Sequence, residues 1–250
     1  MTTDSRSLLN LFNAIEDNDL ASIQALLNAG NNPNMINKFF DWPPLYAAVK
    51  GGSDPNIVKA LLSAGANPNV IIGKNLLRII HIPACHDDML ATLRVLLDAG
   101  ANPNVLSSDG WNWTALHYAT ERNRNPGAVQ PLLDAGADPN IKTLHSKSTP
   151  LHFAAMSDGR NLDVIKALLN AGANPRAKNV KKYTPLHLAA AWNANPEVIQ
   201  VFLDAGANPK LRDKYGRRPI KVALEHDQPR NQLRVLRNAT KRRFSSSLKR

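Results

Sequence analysis

The sequence lacks the features that mark several common protein classes. Cys85 is the only cysteine among 250 residues, so an intramolecular disulfide and a thiolate-rich zinc site are both excluded. No window of about 18 consecutive apolar residues occurs, and the first ten residues contain no basic segment followed by a long apolar one. We therefore expect a cytoplasmic protein without a secretory signal peptide or a transmembrane segment.

Most of the chain also lacks an excess of charge. The formal charge is +11, yet residues 210–250 alone contain 14 Lys and Arg against 3 acidic residues, which accounts for all of it. In the rest of the chain, 17 basic residues are balanced by 17 acidic ones. Counted along the sequence, an argument from charge to a nucleic acid or a membrane therefore applies to the C-terminal end alone.

One phrase recurs throughout the chain. A leucine-rich segment followed by Ala-Gly and then Asn-Pro, or Asp-Pro in the fourth copy, occurs six times, and its equivalent positions are 35, 35, 36, 36 and 34 residues apart. These positions are Leu26, Leu61, Leu96, Leu132, Leu168 and Phe202. A second phrase precedes the first by 16 or 17 residues and reads TPLHFAA from Thr149 and TPLHLAA from Thr184. A fixed period of this length indicates a repeat protein in which each unit becomes stable by stacking on its neighbours.

The two phrases at this period resemble the ankyrin repeat family over residues 7–239. The resemblance implies an all-α fold, an ankyrin-repeat solenoid of about seven stacked helix-turn-helix repeats with β-turn fingers. The predicted repeats span 7–34, 42–69, 77–104, 113–140, 148–176, 183–210 and 217–239, and residues 240–250 are predicted to be a basic, disordered tail. The asparagine-rich turns also resemble those of bacterial ankyrin repeat proteins, some of which are exported into host cells as effectors.

Local chemistry supports the same layout. Threonine followed by proline can cap and begin a helix, and the glycine of each Ala-Gly pair tolerates the left-handed conformation that ends one. The Asn-Pro pair then prevents the helix from continuing. The predicted turn between the two helices of a repeat carries residues that accept a positive φ, namely Gly52, Asn123, Asp158 and Asn193.

No motif for catalysis or cofactor binding is present. The sequence has no Gly-rich phosphate loop, nucleophile elbow or paired-histidine zinc helix. Four histidines recur once per repeat, His81, His117, His152 and His187. Stacking separates them by roughly 10 Å, too far to share one metal ion, so we expect structural hydrogen bonds to nearby backbone. We expect no enzyme, because the repeats occupy nearly the whole chain.

Aromatic residues at finger positions are the predicted binding residues. The residue before the threonine position is Trp42, Trp113 or Tyr183 in three repeats, and the resemblance places it on the partner-facing surface. The other candidates are Phe39, Phe40, Trp111 and Tyr215, which lie elsewhere on the predicted fingers, and Trp192, which lies late in the predicted inner helix of the sixth repeat. Exposed aromatic rings are enriched among binding hot spots. The alternative is that these rings cover neighbouring fingers and stabilise the stack.

The resemblance implies a non-catalytic protein-protein interaction module, expected to be monomeric. It would act as a scaffold or an inhibitor-like binder through its fingers and the concave face of the inner helices. One alternative is an adaptor for nucleic acid or an anionic membrane that uses the basic C-terminal end. The cations of the predicted tail are Lys241, Arg242, Arg243, Lys249 and Arg250. A second alternative is an exported bacterial effector that binds a host protein, and a merely solvated tail is a further interpretation of the basic end.

Overall fold

The computed structural model describes residues 3–37, 41–70, 78–121, 126–156, 162–193 and 195–241. Within these ranges the regular structure is helical, apart from an isolated antiparallel bridge between Asn37 and Trp42. The helices are α1 (Thr3–Glu16), α2 (Leu20–Asn28), α3 (Pro44–Gly51), α4 (Pro55–Ser63), α5 (His81–Ala84), α6 (Leu90–Asp98), α7 (Ala115–Glu121), α8 (Pro126–Asp134), α9 (Pro150–Ala155), α10 (Leu162–Asn170), α11 (Pro185–Trp192), α12 (Pro196–Asp204), α13 (Pro219–Glu225) and α14 (Arg230–Lys241). None of these helices has the length and apolar character needed to cross a membrane.

The helices belong to two compact units. Unit 1 comprises residues 1–123 and 130–137, and unit 2 comprises residues 124–129 and 138–250, so α8 contributes to both. In unit 1, α1, α3, α5 and α7 pack in succession, and α2, α4 and α6 form a second row. In unit 2, α9, α11 and α13 form one row and α10, α12 and α14 the other. Each unit is thus a double layer of helices, as the predicted helix-turn-helix stack requires.

The repeated leucine phrase supplies the core of both units. Leu61, Leu96, Leu132, Leu168 and Phe202 are all fully buried. The sixth aligned residue, Leu26, is only half-buried because α2 begins its row and has a neighbour, α4, on one side alone. This difference fits a stack whose end repeats face solvent.

The predicted caps are confirmed where the threonine-proline phrase is intact. The backbone N–H of Thr149 donates to Nδ1 of His152 at 3.1 Å, and the Thr149 hydroxyl lies 2.8 Å from the same nitrogen. Thr184 and His187 repeat this arrangement at the start of α11. At the other end of a repeat, Gly172 has φ +86°, the predicted left-handed conformation.

The prediction for the turn between the two helices is right at one position and wrong at another. Gly52 has φ +70° and ends α3 as expected. Asn193 instead has an extended backbone with φ −109°, because its surroundings hold it there. Its side-chain oxygen accepts the N–H of Asn195 at 3.1 Å, and its carbonyl accepts Nε2 of Gln232 at 2.8 Å. Asn123 and Asp158 lie outside the described residues.

An asparagine ladder, made up of Asn34, Asn69, Asn104 and Asn140, joins successive repeats, and each of its members follows the proline of an Asn-Pro or Asp-Pro pair. Asn34 donates to the carbonyl of Gly65 at 2.8 Å and accepts the N–H of Asn67 at 2.8 Å. The bond to the next glycine carbonyl recurs at Asn69, Asn104 and Asn140. At the next position Arg176 donates from Nε to the carbonyl of Gly206 at 2.7 Å, but arginine has no acceptor for the second bond.

Candidate protein-binding surface

The six loops between repeats are the predicted fingers, of which residues 38–40 and 71–77 lie outside the described part of the chain. Each finger runs from the proline of the Asn-Pro pair to the residue before the threonine position of the next repeat. Unit 1 carries fingers 33–42, 68–77 and 103–113, and unit 2 carries fingers 139–148, 175–183 and 209–217. Backbone hydrogen bonds close the described fingers, as between the N–H of Ser107 and the carbonyl of Trp113 at 2.7 Å. A tight turn of this kind holds the fingertip in one conformation.

Asp109 organises the third finger. Its carboxylate accepts the Ser107 hydroxyl at 2.6 Å, the backbone N–H of Trp111 at 3.0 Å and the Tyr118 hydroxyl at 2.5 Å. Partial burial alone would raise the pKa of Asp109, but the hydrogen bonds from Ser107 and Tyr118 outweigh it and hold the pKa below its ordinary value. The ionised carboxylate therefore clamps the turn that carries Trp111 to helix α7.

The two tryptophans of this finger have different surroundings. The side chain of Trp111 is 56% exposed, and its ring meets the Trp113 ring edge-on at a centroid distance of 6.5 Å. Trp113 is half-buried and packs against Tyr118 at 5.1 Å and His117 at 6.2 Å. Trp113 thus packs the finger against helix α7, while Trp111 exposes more than half of its side chain to solvent.

Arg217 organises the sixth finger in a comparable way. Its guanidinium donates to Asp213 at 2.8 Å, to Glu225 at 2.7 Å and to the Tyr183 hydroxyl at 2.6 Å. It also lies over the Tyr215 ring, 4.9 Å from the centroid. Tyr183 is half-buried in this network, whereas Tyr215 is 64% exposed.

The remaining predicted aromatic residues are scattered. Trp42 is half-buried against Tyr46, with the Lys50 ammonium 4.0 Å from its ring centroid. Trp192 is 52% exposed at the end of α11 and contacts the His226 ring at 4.7 Å. Phe39 and Phe40 lie outside the described residues. Among the described residues, the Trp111 ring meets the Trp113 ring, and the rings of Tyr183 and Tyr215 both lie beside the Arg217 guanidinium.

Two exposed aliphatic residues in unit 1, Ile36 and Leu106, are not among the predicted binding residues, which are all aromatic. Ile36 and Leu106 occupy the same place in their fingers, three residues after the proline, and are 51% and 41% exposed. Aligning the fingers position by position would have identified this apolar column, because the sequence reads Ile36, Ile71 and Leu106 there. The fingers of unit 1 are therefore apolar as well as aromatic.

The repeated histidines make the predicted structural hydrogen bonds. Nε2 of His81 lies 3.0 Å from the carbonyl of Val105, and Nε2 of His152 lies 3.1 Å from that of Tyr183. Burial lowers the pKa of both imidazoles to about 4. These side chains are thus neutral links between a helix start and the next finger.

The basic end is described only in part. Lys241 is exposed at the last residue of α14, two residues beyond the predicted repeat, while Arg242, Arg243, Lys249 and Arg250 lie outside the described residues. Exposed side chains of Arg230, Arg234, Arg237 and Lys241 follow one another at helical spacings of four, three and four residues. These four cations, called the α14 stripe below, occupy one face of the helix.

Comparisons with known proteins agree with this architecture. The sequence profile of ankyrin repeats in three copies matches residues 11–107, 116–213 and 151–240, and a profile of ankyrin repeats in many copies matches residues 84–133. A search of curated protein sequences finds no significant match.

Solved structures give the same result. The ankyrin repeat domain of Bcl-3, described as a unique member of the IkappaB protein family, is 26% identical with a TM-score of 0.73. That match covers 91% of this chain and 97% of the Bcl-3 domain. The human ASB11 ankyrin repeat domain is also 26% identical, with a TM-score of 0.69 and coverage of 92% and 96%. Ankyrin repeat domains generally mediate protein-protein interactions and are typically non-catalytic. The fold, the repeat phrases and these matches together show that the chain belongs to the ankyrin repeat family.

Proposed function

We propose that the chain is a protein-binding module whose main anchor is Trp111 on the third finger. The observation that carries the proposal is the 56% exposure of this large ring. The Asp109 carboxylate, which accepts the N–H of Trp111, already holds the backbone of its turn in place. Tryptophan is enriched at binding hot spots, and an anchor held in place before binding loses little conformational entropy on association. Leu106 on the same finger, 41% exposed, adds apolar surface beside it.

The half-buried aromatic residues have a supporting role in this proposal. Trp113 packs on Tyr118, and Trp42 packs on Tyr46, so truncating either ring would also disturb the stack. The exposed rings of Trp111, Trp192 and Tyr215 are the ones that a partner can contact without any change in the fold. A scaffold and an inhibitor-like binder would both use such a surface.

Quantitative affinity capture with the intact chain tests the proposal. The Trp111→Ala variant should weaken binding of the captured protein by about thirtyfold, which corresponds to the loss of about 2 kcal/mol typical of a hot-spot residue. Met156→Ala is the matched control, because Met156 is also exposed, at 47%, but lies outside the fingers. Equal capture by wild type and Trp111→Ala, measured by mass spectrometry and then with the purified partner, would refute this anchor.

The α14 stripe favours a second candidate function, binding of a phosphate-rich surface by the basic end. Helix α14 contains three arginines, one lysine and no acidic residue. Binding of this kind weakens steeply with salt, because each neutralised phosphate releases counterions. Filter binding of duplex DNA, and sedimentation with vesicles rich in phosphatidylserine, should both decline between about 50 and 200 mM salt. They should be lost on replacing Arg230, Arg234 and Arg237 by alanine.

A further inference from the structure

Charged residues are distributed differently over the fingers of the two units, although the two signs balance along most of the sequence. The three fingers of unit 2 contain ten Lys and Arg against a single acidic residue, Asp213. The three fingers of unit 1 contain two basic and two acidic residues. The acidic residues that balance repeats five and six along the sequence lie outside the fingers, as with Asp163 in α10 and Glu197 in α12. The fingers of unit 2 therefore form a cationic surface, called the cationic finger face below.

The one acidic residue of this surface, Asp213, is already paired with Arg217. Nine of its ten cations are exposed, and the tenth, Arg217, pairs with the buried Asp213 at 2.8 Å. Within the described ranges, no carboxylate lies within 4 Å of the charged nitrogen of any of the nine. Concentrating like charges raises the energy of the free protein, and an anionic partner would relieve that repulsion.

The three fingers lie side by side. The N–H of Val180 donates to the carbonyl of Ser146 at 2.8 Å, and the N–H of Lys214 donates to the carbonyl of Lys181 at 2.9 Å. Equivalent positions of the fingers therefore form rows, and the third position after the proline reads Lys142, Lys178 and Arg212. In unit 1 the same position reads Ile36, Ile71 and Leu106, so the cationic row is not required by the fold.

Two of the fingertips carry lysine where the backbone disfavours it. Lys147 and Lys182 have φ +54° and +57°, and the equivalent residues of unit 1 are Asp41 and Asn112 at +57° and +52°. Asparagine and aspartate adopt this left-handed region far more readily than other side chains. Nothing in the stack explains lysine at these tips, whereas recognition of an anion does.

Apolar side chains within the cationic finger face indicate which kind of anion binds. Leu144 and Val180 occupy equivalent finger positions and are 43% and 58% exposed, and Tyr215 is 64% exposed. A sugar-phosphate backbone offers little apolar surface to aliphatic side chains, while a polypeptide offers both carboxylates and apolar groups. The two exposed arginines are also engaged, Arg176 with the carbonyl of Gly206 and Arg212 with that of Gly216. Seven lysines thus supply most of the free charge of this surface.

We infer that the cationic finger face of unit 2 binds an acidic polypeptide segment that carries aliphatic side chains between its carboxylates. This inference rests on the proposed protein-binding function and names the chemistry of a partner segment at a second surface, apart from Trp111. Lysines of the three fingers neutralise the carboxylates, and Leu144 and Val180 cover the aliphatic groups. The segment is extended, because it crosses three fingers that lie side by side.

Fluorescence anisotropy with the full chain and defined probes tests the inference. The main probe is a labelled peptide of about 12 residues with leucine at every third position and glutamate elsewhere, which spans roughly 40 Å when extended. The comparison probes are a Glu-Gly peptide of the same length and single-stranded DNA of similar length. At about 150 mM salt, long-range attraction between exposed charges is screened. Under this condition we expect the Glu-Leu peptide to bind more tightly than either comparison probe.

Variants locate the site. Lys178→Glu, Lys181→Glu and Lys182→Glu in one protein should weaken binding of the Glu-Leu peptide by about tenfold or more, since attraction becomes repulsion. The matched control, Arg230→Glu, Arg234→Glu and Arg237→Glu, changes the net charge by the same amount on α14 and should change binding by less than about threefold. Leu144→Ser with Val180→Ser should reduce binding of the Glu-Leu peptide to that of the Glu-Gly peptide. All these side chains are exposed, and circular dichroism will confirm that each variant is folded.

Three results would overturn the inference. They are DNA binding as tightly as the Glu-Leu peptide, equal losses in the finger and α14 variants, and no effect of the Leu144→Ser, Val180→Ser variant. Trp111→Ala separates this site from the proposed anchor, because peptide binding should survive that change whether or not Trp111 binds a partner. Failure at one surface is therefore distinguishable from failure at the other.

Discussion

Unit 1 and unit 2 are each a double layer of helices, but their fingers carry different side chains. The third finger of unit 1 presents Trp111 and Leu106 to solvent, and Asp109 is its only charged residue. The fifth finger, in unit 2, has a similar length and the same left-handed tip but contains one arginine and three lysines. The core is fixed by leucines that each repeat must bury, whereas finger side chains contribute little to it. The comparison shows that the repeat determines where a surface residue lies and leaves its chemistry open.

The largest expected effect tests whether the two cores are equivalent. Leu96→Ala in unit 1 and Leu168→Ala in unit 2 each remove a fully buried side chain, and we expect each to lower the free energy of unfolding by about 2–5 kcal/mol. Urea denaturation followed by circular dichroism measures both. Leu144→Ala, at a 43% exposed position, is the control and should stay within about 0.5 kcal/mol. An unchanged urea midpoint for either variant would contradict the equivalence of the two cores.

The second prediction concerns pH and the buried histidines, of which His81 lies in unit 1 and His152 in unit 2. Burial lowers the pKa of each to about 4, while the unfolded chain takes up a proton near its ordinary value of 6.5. The stabilising effect of the neutral ring is therefore present above pH 6.5 and is lost as the pH falls toward 4. We expect each histidine to cost about 2 kcal/mol between neutral pH and pH 5.

Urea denaturation across that pH range measures this loss. His81→Gln and His152→Gln should each destabilise the protein at neutral pH but reduce the dependence of stability on pH by a similar amount. A pH dependence that both variants leave unchanged would mean that these histidines take up protons as readily in the folded chain as in the unfolded one.

The third prediction concerns the asparagine ladder. Asn69→Ala in unit 1 and Asn140→Ala in unit 2 each remove two hydrogen bonds between repeats, and we expect a loss of about 1–2 kcal/mol in each case. Arg176→Asn should have the opposite effect, a gain of up to about 1 kcal/mol, because asparagine can also accept the N–H of Asn208. Thermal unfolding compares the three. A loss of stability in Arg176→Asn would show that the sixth repeat does not follow the ladder.

The smallest effect exchanges the fingertip residues of the two units. Lys182→Asn should stabilise unit 2, and Asn112→Lys should destabilise unit 1, each by about 0.5–1 kcal/mol, because asparagine adopts a positive φ at lower cost. Chemical denaturation of both variants against the wild type measures the difference. Changes of the same sign in both would mean that charge or local contacts outweigh backbone strain.

The helix stack could be predicted because its causes are local and repeated. Thr149 caps a helix, Gly172 ends one and Leu168 is buried, and each inference needs only nearby residues and the period. The conformation of Asn193 could not be predicted in this way. Its extended backbone depends on Gln232, 39 residues further along the chain.

The sequence could not predict which aromatic residues are exposed, because exposure also depends on contacts with other residues. Trp111 and Trp113 are two residues apart in one finger, yet only Trp113 reaches the ring of Tyr118. The basic surplus was visible in the sequence, but it was assigned to the C-terminal end because acidic residues of the helices cancelled the finger lysines in a linear count. Only the fold shows that these lysines lie on fingers and these acidic residues on helices.

The asparagine ladder has a consequence for how such a chain can change in length. Asn34, Asn69 and Asn140 each contact main-chain atoms of the following repeat, a glycine carbonyl and a backbone N–H, rather than any particular side chain. Any repeat with the same turn can therefore serve as the next neighbour. Duplication or loss of a whole repeat would leave the hydrogen bonds on either side intact, so the array can grow or shrink while each fingertip varies independently.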